Sequence, residues 1–307
     1  MSEAAHLTMP KPRALAPEPP RQHVPAALAW STRLAVAALM LLVAVRMLNA
    51  ASLFPRLPAD TTAFSAKAAK TPDTREVRFE ATDGTRLYGW VTGRDDAARK
   101  IVFCCGNGGN VSGYGARMAE ISQALNAQTL VFDYRGYYLS EGSPSEEGCK
   151  RDARGAWLFA TGQLGWKPSQ IVIWGHSLGS AFATSLALDL QEGRGFGDAN
   201  VQPARALVLE SPLTSAAAMA QRQFGFLGVP HWLLYAELDN LSRVKRLKLP
   251  IFVLHGTKDE IIPFEMGKEI AAAGGAKSLW IEGGNHNGLW TFWREPMLAG
   301  LEGFLKE

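Results

Sequence analysis

Cysteine is scarce in this sequence, and no pattern of metal ligands is present. The 307 residues contain three cysteines, which are Cys104, Cys105 and Cys149. Adjacent cysteines such as Cys104 and Cys105 rarely form a disulfide, because the bridge between neighbouring residues would be strained. The cysteines and histidines also lack the spacing that is typical of a zinc site. The sequence therefore predicts neither a disulfide framework nor a bound metal.

A strong net charge is missing as well. The formal net charge is +3 at pH 7, and much of this surplus lies in the N-terminal tail and beside the first apolar run. The main domain has no basic stripe interleaved with aromatic residues, so we expect no nucleic-acid partner. Hydrophobic residues make up 47% of the chain and charged residues 20%, as in an ordinary globular protein with a sizeable core. This length can hold one large α/β domain with some additional material.

The N-terminal region changes character twice. Residues 1–25 are polar and rich in proline, which predicts a disordered tail. Residues 26–48 are mostly apolar, and Arg33 and Arg46 stand at the edges of an uninterrupted apolar core. Because arginine side chains can reach the lipid headgroups, this segment can attain the roughly 20 residues that are needed to cross a bilayer. We predict a transmembrane signal anchor at 26–48, followed by a linker at 49–74.

Two other interpretations of residues 26–48 remain open. The segment could be a cleaved signal peptide, or a helix that lies on the membrane or packs on the main domain. Basic residues upstream favour a cytoplasmic N-terminus, which would put the main domain on the non-cytoplasmic side of a single-pass membrane protein. Arg46 and Arg56 follow the apolar core and weaken this orientation.

Residues 75–307 alternate between strand and helix patterns. Residues 76–82 alternate apolar and polar side chains, and Asp83-Gly84 is a turn signal before a return strand at 85–92, so a hairpin is predicted. Further strands are predicted at 100–105, 128–133, 171–175, 206–210, 251–255 and 278–282, and helices within 112–125, 146–163, 178–190, 263–273 and 289–305. This alternation predicts a mainly parallel, doubly wound sheet with helices on both faces and ligands at the carboxyl ends of the strands.

The stretch 171–188 carries the strongest local signal. A short β-branched and aromatic run ends in Gly175-His176-Ser177-Leu178-Gly179, and an Ala/Leu-rich helical run follows at once. Two glycines flank the serine, where a strand-to-helix corner brings backbone too close for side chains. Such a turn strains the serine and raises its hydroxyl at the edge of the sheet, in front of the unpaired N–H groups of the helix. We predict that Ser177 is a nucleophile.

A serine nucleophile needs an adjacent base, and the chain has six histidines. His286 lies in the loop 283–287, which follows the last predicted strand and emerges at the same sheet edge as Ser177. We predict that His286 is the base, the alternative being a surface loop histidine. His176 directly precedes the serine, so its side chain points elsewhere. His255 ends an apolar strand and is interpreted as a packed or turn-capping residue, so its loss is expected to lower stability only.

The remaining roles are an acid and two oxyanion donors. Asp259 and the adjacent Glu260 both lie just beyond a predicted strand, and either could orient the base. One donor is expected to be the backbone N–H of Leu178. The other should come from the glycine-rich loop after strand 100–105, where the N–H of Asn107 is preferred and that of Gly106 is second.

Six ordered blocks carry a family resemblance. They are GNGGNVSGYGARM at 106–118, DYRGYYLSEGSPSEEGCKRDA at 133–153, GHSLGS at 175–180, LVLESPLTS at 207–215, LPIFVLHGTKDEIIP at 249–263 and GGNHN at 283–287. Over about residues 75–307 the chain resembles the α/β-hydrolase superfamily, most closely its membrane-anchored esterase and acyl-protein-thioesterase-like (serine aminopeptidase-like) branch. The resemblance implies the α/β-hydrolase fold. It also implies Ser177 as nucleophile, Asp259 as acid, His286 as base, and the amides of Asn107 and Leu178 as oxyanion donors.

The chain departs from this family pattern at two positions. Cys105 stands where the family usually has histidine, and Tyr138 where it tends to have glycine. Because the oxyanion donor is a backbone amide, activity should survive the cysteine, but the hydrogen bonds with which a histidine supports the loop would be lost. Cys105 itself is not expected to be the nucleophile, because no second base is placed near it. Between strands 206–210 and 251–255 the chain is too short for a large lid domain.

The predicted function is that of a serine hydrolase. It would cleave a carboxylic ester or thioester through an acyl-serine intermediate, with no cofactor or metal. The substrate would be a small or lipid-like acyl compound, or an acylated protein. Two alternatives remain open: an amidase or peptidase of the same fold, and a catalytically silent hydrolase-fold protein used for binding.

Overall fold

A computed structural model describes residues 26–55, 73–108, 110–224 and 234–306. The predicted tail at 1–25 and most of the predicted linker lie outside these residues. The chain falls into two compact units, Met1–Ala44 and Val45–Glu307.

The first helix, α1, extends from Ala26 to Leu53. Its segment Leu34–Leu53 is, among the described helices, the one long and apolar enough to cross a membrane by length and composition, and none of it is buried. The helix continues past the predicted end at residue 48, because Ala50 and Ala51 are strong helix formers. It ends just before Pro55, which disfavours helical backbone in the preceding residue. The first residues of the predicted linker are therefore helical.

An eight-stranded sheet forms the centre of the second unit. Its strands are β1 (Thr74–Glu80), β2 (Arg86–Thr92), β3 (Arg99–Cys104), β4 (Ala127–Phe132), β5 (Ile171–His176), β6 (Ala206–Glu210), β7 (Ile251–Gly256) and β8 (Lys277–Ile281). They are ordered β1-β2-β4-β3-β5-β6-β7-β8. The β1–β2 and β2–β4 pairs are antiparallel, and all others are parallel. The predicted hairpin and the mainly parallel sheet are confirmed.

Helices follow the parallel strands along the chain. They are α2 (Val111–Ala124), α3 (Glu146–Leu158), α4 (Gly179–Glu192), α5 (Ala216–Phe224), α6 (Asn240–Val244), α7 (Phe264–Ala273) and α8 (Leu289–Lys306), and α3 continues into a π-helical turn, Phe159–Gln163. The residues of β4, β5, β6 and β7 are all buried, as continuous apolar runs are when helices cover both faces of a sheet. The five predicted helices are confirmed. The short helices α5 and α6 were not predicted.

The segment between β6 and β7 contains these two short helices. Asp239 caps α6 by accepting a hydrogen bond from the Ser242 amide. Residues 225–233, which include His231, Phe226 and Trp232, lie outside the described part of the chain. The described residues of this segment form no large lid domain.

The parallel sheet brings distant parts of the chain to one edge. Strands β3, β5, β7 and β8 all point the same way, so the loops that follow them emerge together. These loops hold Asn107, Ser177, Asp259 and His286, in that order along the chain.

Candidate active site

Ser177 occupies the tight turn between β5 and α4. Its φ of 55° lies in the left-handed region, which is unfavourable for a residue with a side chain. The turn is fixed by a hydrogen bond from the Ser177 amide to the carbonyl oxygen of Glu210, 2.9 Å long. The strained serine is therefore held by the neighbouring strand β6.

The two glycines that flank this turn are required by close packing. A Cβ on Gly175 would lie 2.6 Å from the carbonyl oxygen of Gly179, and a Cβ on Gly179 would lie 2.1 Å from the carbonyl oxygen of Cys104. Backbone atoms can give way little at such distances. The start of α4 consequently rests directly on the end of β3.

His286 links Ser177 to Asp259. Its Nε2 lies 3.0 Å from Ser177 Oγ, and its Nδ1 lies 2.7 Å from Asp259 Oδ2. Because the carboxylate accepts a hydrogen bond from Nδ1–H, the unprotonated Nε2 is left to take the hydroxyl proton of the serine. His286 is 3% exposed, so the pair is shielded from water. This is the arrangement that a general base for serine requires.

The geometry separates Asp259 from its rival Glu260. Asp259 Oδ1 accepts the amides of Ile261 and Ile262 at 2.9 and 2.8 Å, which fixes the carboxylate. Burial raises the pKa of Asp259, but hydrogen bonds from His255 and His286 outweigh this and hold that pKa below its ordinary value. Asp259 therefore stays ionised. Glu260 accepts the backbone amide of His286 at 3.2 Å rather than its ring.

His255 also contacts the carboxylate. Its Nε2 lies 3.0 Å from the carbonyl oxygen of Ile262, as expected of a turn-capping residue, and 3.2 Å from Asp259 Oδ2. Sequence reasoning missed the second contact. The signal for this contact in the sequence was that His255 ends a strand and Asp259 follows it by four residues, in the turn beyond that strand.

The loop after β3 lies against the nucleophile. A Cβ on Gly106 would be 3.3 Å from the Cβ of Ser177. The Gly106 amide donates to Tyr114 Oη at 3.1 Å, so it is already engaged. The amides of Asn107 and Leu178, by contrast, donate to no acceptor among the described residues. Of the two amides predicted as the second oxyanion donor, that of Gly106 is already engaged and that of Asn107 is not.

The cysteines are far from reactive. All three are free and buried. Burial raises the pKa of the Cys105 thiol well above its ordinary value, and the thiol donates weakly to the carbonyl oxygen of Phe132 at 3.6 Å. A buried, protonated thiol is a poor nucleophile. In the part of the chain that the structure describes, no group of three or more His, Cys, Asp or Glu residues could hold a metal ion.

The site belongs to a recognised family. The sequence profile of the alpha/beta hydrolase family matches residues 101–296, a range that includes Asn107, Ser177, Asp259 and His286. An uncharacterized protein of Mycobacterium tuberculosis is 32% identical over 242 residues, which cover 77% of this chain and 80% of that protein. The chain therefore belongs to the alpha/beta hydrolase family, and it is a hydrolase of the α/β fold.

Other relatives have more specific names. Alpha/beta hydrolase domain-containing protein 17B of Homo sapiens is 26% identical over 194 residues, covering 62% of each chain. Lysophosphatidylserine lipase ABHD12 of Danio rerio is 33% identical over 186 residues, which are 55% of this chain and 46% of that protein. A protein named as a lipase is thus among the relatives of this chain.

Solved structures show the same fold. An alpha-beta hydrolase from Vibrio vulnificus has a TM-score of 0.64 at 21% identity and covers 83% of this chain and 92% of its own. An esterase from Pyrococcus furiosus has a TM-score of 0.62 at 18% identity, covering 82% and 96%. The predicted α/β-hydrolase fold is confirmed.

Proposed function

We propose that this protein is a serine hydrolase that cleaves a carboxylic ester or thioester through an acyl-serine intermediate. The observation that carries the proposal is the hydrogen-bonded chain from Ser177 Oγ through His286 to Asp259, with distances of 3.0 and 2.7 Å. The strained backbone of Ser177 supports it, because strain of this kind is concentrated at functional sites.

Each residue has one task in the first half-reaction. Ser177 Oγ attacks the carbonyl carbon of the substrate while His286 Nε2 takes its proton. The negative charge that develops on the carbonyl oxygen is stabilised by the amides of Leu178 and Asn107. Asp259 remains ionised and stabilises the protonated imidazole. When the tetrahedral intermediate collapses, the alcohol or thiol leaves with the proton from His286.

The second half-reaction reverses these roles with water. His286 takes a proton from a water molecule, whose oxygen attacks the acyl carbon. The second tetrahedral intermediate expels Ser177 Oγ, which recovers its proton from His286, and the carboxylic acid is released. Atoms and charges balance without a metal or cofactor.

A fluorophosphonate probe tests this proposal. The probe should label wild-type protein on the peptide that contains Ser177, because it reacts with an activated serine, whereas Ser177→Ala should remain unlabelled. Ester, thioester and aminoacyl amide substrates then identify the leaving group, with faster turnover expected for the first two. A wild-type protein that is neither labelled nor active on any of them would support a silent binding protein instead.

The apolar helix supports a membrane location. We propose that Leu34–Leu53 anchors the protein in a bilayer by a single pass. The catalytic unit would then lie on the non-cytoplasmic side. Its substrate would be a lipid-like acyl compound or an acylated protein. A retained anchor should keep the full-length chain in the membrane pellet after alkaline carbonate extraction. Release into the supernatant, or an intact mass that lacks the N-terminal segment, would exclude the anchor.

A further inference from the structure

The half-buried Tyr114 and the buried His176 lie beside the loop that is expected to stabilise the oxyanion. We propose that Tyr114 and His176 are positioning residues that hold the backbone of Gly106, and through it the Asn107 amide, beside Ser177. This inference rests on the proposed serine hydrolase function. Neither side chain is expected to touch the substrate.

The pair makes a continuous chain of hydrogen bonds. The Gly106 amide donates to Tyr114 Oη at 3.1 Å, and Tyr114 Oη lies 3.0 Å from His176 Nδ1. A Cβ on Gly106 would lie 3.0 Å from Tyr114 Oη and 3.1 Å from His176 Nδ1. Gly106 is therefore packed directly on both polar atoms, one residue before Asn107.

The first hydrogen bond of this chain has a fixed direction, and the second is assigned with His176 as the Nε2–H tautomer. An amide can only donate, so Tyr114 Oη accepts from Gly106 and its own proton is directed to His176 Nδ1. Burial lowers the pKa of His176 to about 4, so the imidazole is neutral at pH 7 and Nδ1 can accept. The ring proton is then on Nε2, which faces the Glu210 carboxylate 3.9 Å away.

The carboxylate that faces His176 is held by other contacts in the core. Glu210 forms an ion pair with Arg117 and accepts from Trp174 Nε1 at 3.0 Å. Arg117 lies on helix α2, one turn after Tyr114, and its guanidinium packs 5.6 Å from the Trp174 ring centroid. Glu210 also accepts the Ser177 amide through its carbonyl oxygen. Glu210 thus fixes the nucleophile turn through its carbonyl oxygen and places its carboxylate beside the ring of His176.

The groups that face His176 come from several elements. They are Tyr114 and Arg117 of α2, Glu210 of β6, and His286, whose ring centroid is 5.3 Å away. The backbone of His286 also hydrogen-bonds to the ring, and Tyr114 Oη is the partner that lies within hydrogen-bond distance of Nδ1.

This arrangement explains how the loop is supported without the family histidine. Cys105 stands at that position and is directed to the carbonyl oxygen of Phe132, so it gives no hydrogen bond to the loop that follows it. Tyr114 supplies the missing support from the other side. The role of Tyr114 was not predicted from the sequence, although this tyrosine lies between two glycines at the start of α2. The second of them, Gly115, is required there because a Cβ would be 2.3 Å from the Trp90 ring.

Tyr114→Phe tests the proposal, with Tyr137→Phe as the matched control. Tyr137 is a buried tyrosine close to the same sheet edge in sequence order, and its hydroxyl has no hydrogen-bond partner among the described residues, whereas Tyr114 is half-buried and hydrogen-bonded. Loss of one oxyanion donor typically costs 10²- to 10³-fold in kcat, and a loosened donor should cost less. We expect Tyr114→Phe to lower kcat about tenfold with KM changed less than about twofold, and to weaken binding of an alkylboronic acid, which forms a tetrahedral serine adduct, by the same factor. Tyr137→Phe should change neither.

Two further measurements separate positioning from mere packing. Asparagine can present its side-chain oxygen near the place of Nδ1, whereas glutamine presents it near that of Nε2. His176→Asn should therefore retain more kcat than His176→Gln, although asparagine fills less of the buried space. Hydrogen exchange in the loop 105–108 should also be faster in Tyr114→Phe than in Tyr137→Phe, whether or not the enzyme is active.

These readouts distinguish the two possible failures. An inactive, unlabelled wild type would overturn the proposed function, while exchange in the loop would still report on the support by Tyr114. An active wild type with unchanged kcat and unchanged exchange in Tyr114→Phe would overturn this inference alone. A higher kcat in His176→Gln than in His176→Asn would also contradict it. The volume of the side chain, rather than the position of its hydrogen-bond acceptor, would then determine kcat.

Discussion

Ser177→Ala, His286→Ala and the double variant are all expected to lose about 10⁴- to 10⁶-fold in kcat/KM, with the double variant no worse than either single one. The reason is that Ser177 Oγ and His286 Nε2, 3.0 Å apart, act as one unit. Without the base the hydroxyl remains a poor nucleophile, and without the hydroxyl the base has no proton to take. Steady-state hydrolysis of a short-chain ester by purified full-length protein measures all three.

His255→Ala is the informative comparison for these variants. It removes the donor 3.2 Å from Asp259 Oδ2, but the Ile261 and Ile262 amides and His286 still hold the carboxylate. We expect lower stability, because a fully buried side chain is lost, and a decrease in kcat/KM of about 3- to 30-fold. A folded His255→Ala variant that is as inactive as His286→Ala would contradict the assignment of the base. Residual activity above about a tenth in His286→Ala would do so as well, and circular dichroism checks folding in each case.

The sequence was sufficient to predict the fold and to bring the candidate residues to one edge of the sheet. Strands and helices have different periods of apolar residues, and the carboxyl ends of parallel strands lie at one edge of the sheet. Ser177, Asp259 and His286 could therefore be placed at the same edge from the sequence. The choice between Asp259 and Glu260 could not be made from adjacent positions alone. It depends on which carboxylate the turn directs at the His286 ring, and the two Ile amides fix that direction.

The contacts that support the loop at Gly106 were not predicted from the sequence. Gly106, Tyr114, His176 and Glu210 belong to four different elements, and their contacts follow from how α2 packs on the sheet. The same limit applies to Asp83, Asp152 and Arg135. The guanidinium of Arg135 pairs with both of these aspartates, and neither pairing was predicted from the sequence.

A second large effect is expected from a single methyl group. Gly179→Ala would put a Cβ 2.1 Å from the carbonyl oxygen of Cys104 and 2.5 Å from that of Cys105, both of them backbone atoms in or beside the central sheet. Neither side can yield without moving α4 away from β3. We expect a loss of more than about 4 kcal/mol in the free energy of unfolding, or failure to fold. The unfolding midpoint should fall by about 10 °C or more in any protein that is recovered.

Gly303→Ala provides the matched control for this effect. Gly303 is also helical, but an added Cβ there meets no atom within 4 Å. Because alanine favours a helix over glycine by about 1 kcal/mol, Gly303→Ala should leave the midpoint unchanged or raise it. A Gly179→Ala protein as stable as Gly303→Ala would show that the contact between α4 and β3 is looser than the structure has it. If Gly179→Ala instead folds at a lower midpoint, it should also hydrolyse esters more slowly. A displaced α4 would carry Ser177 and the adjoining Leu178 amide away from the loop at Gly106, and the oxyanion site depends on the two amides lying on either side of the reacting carbonyl.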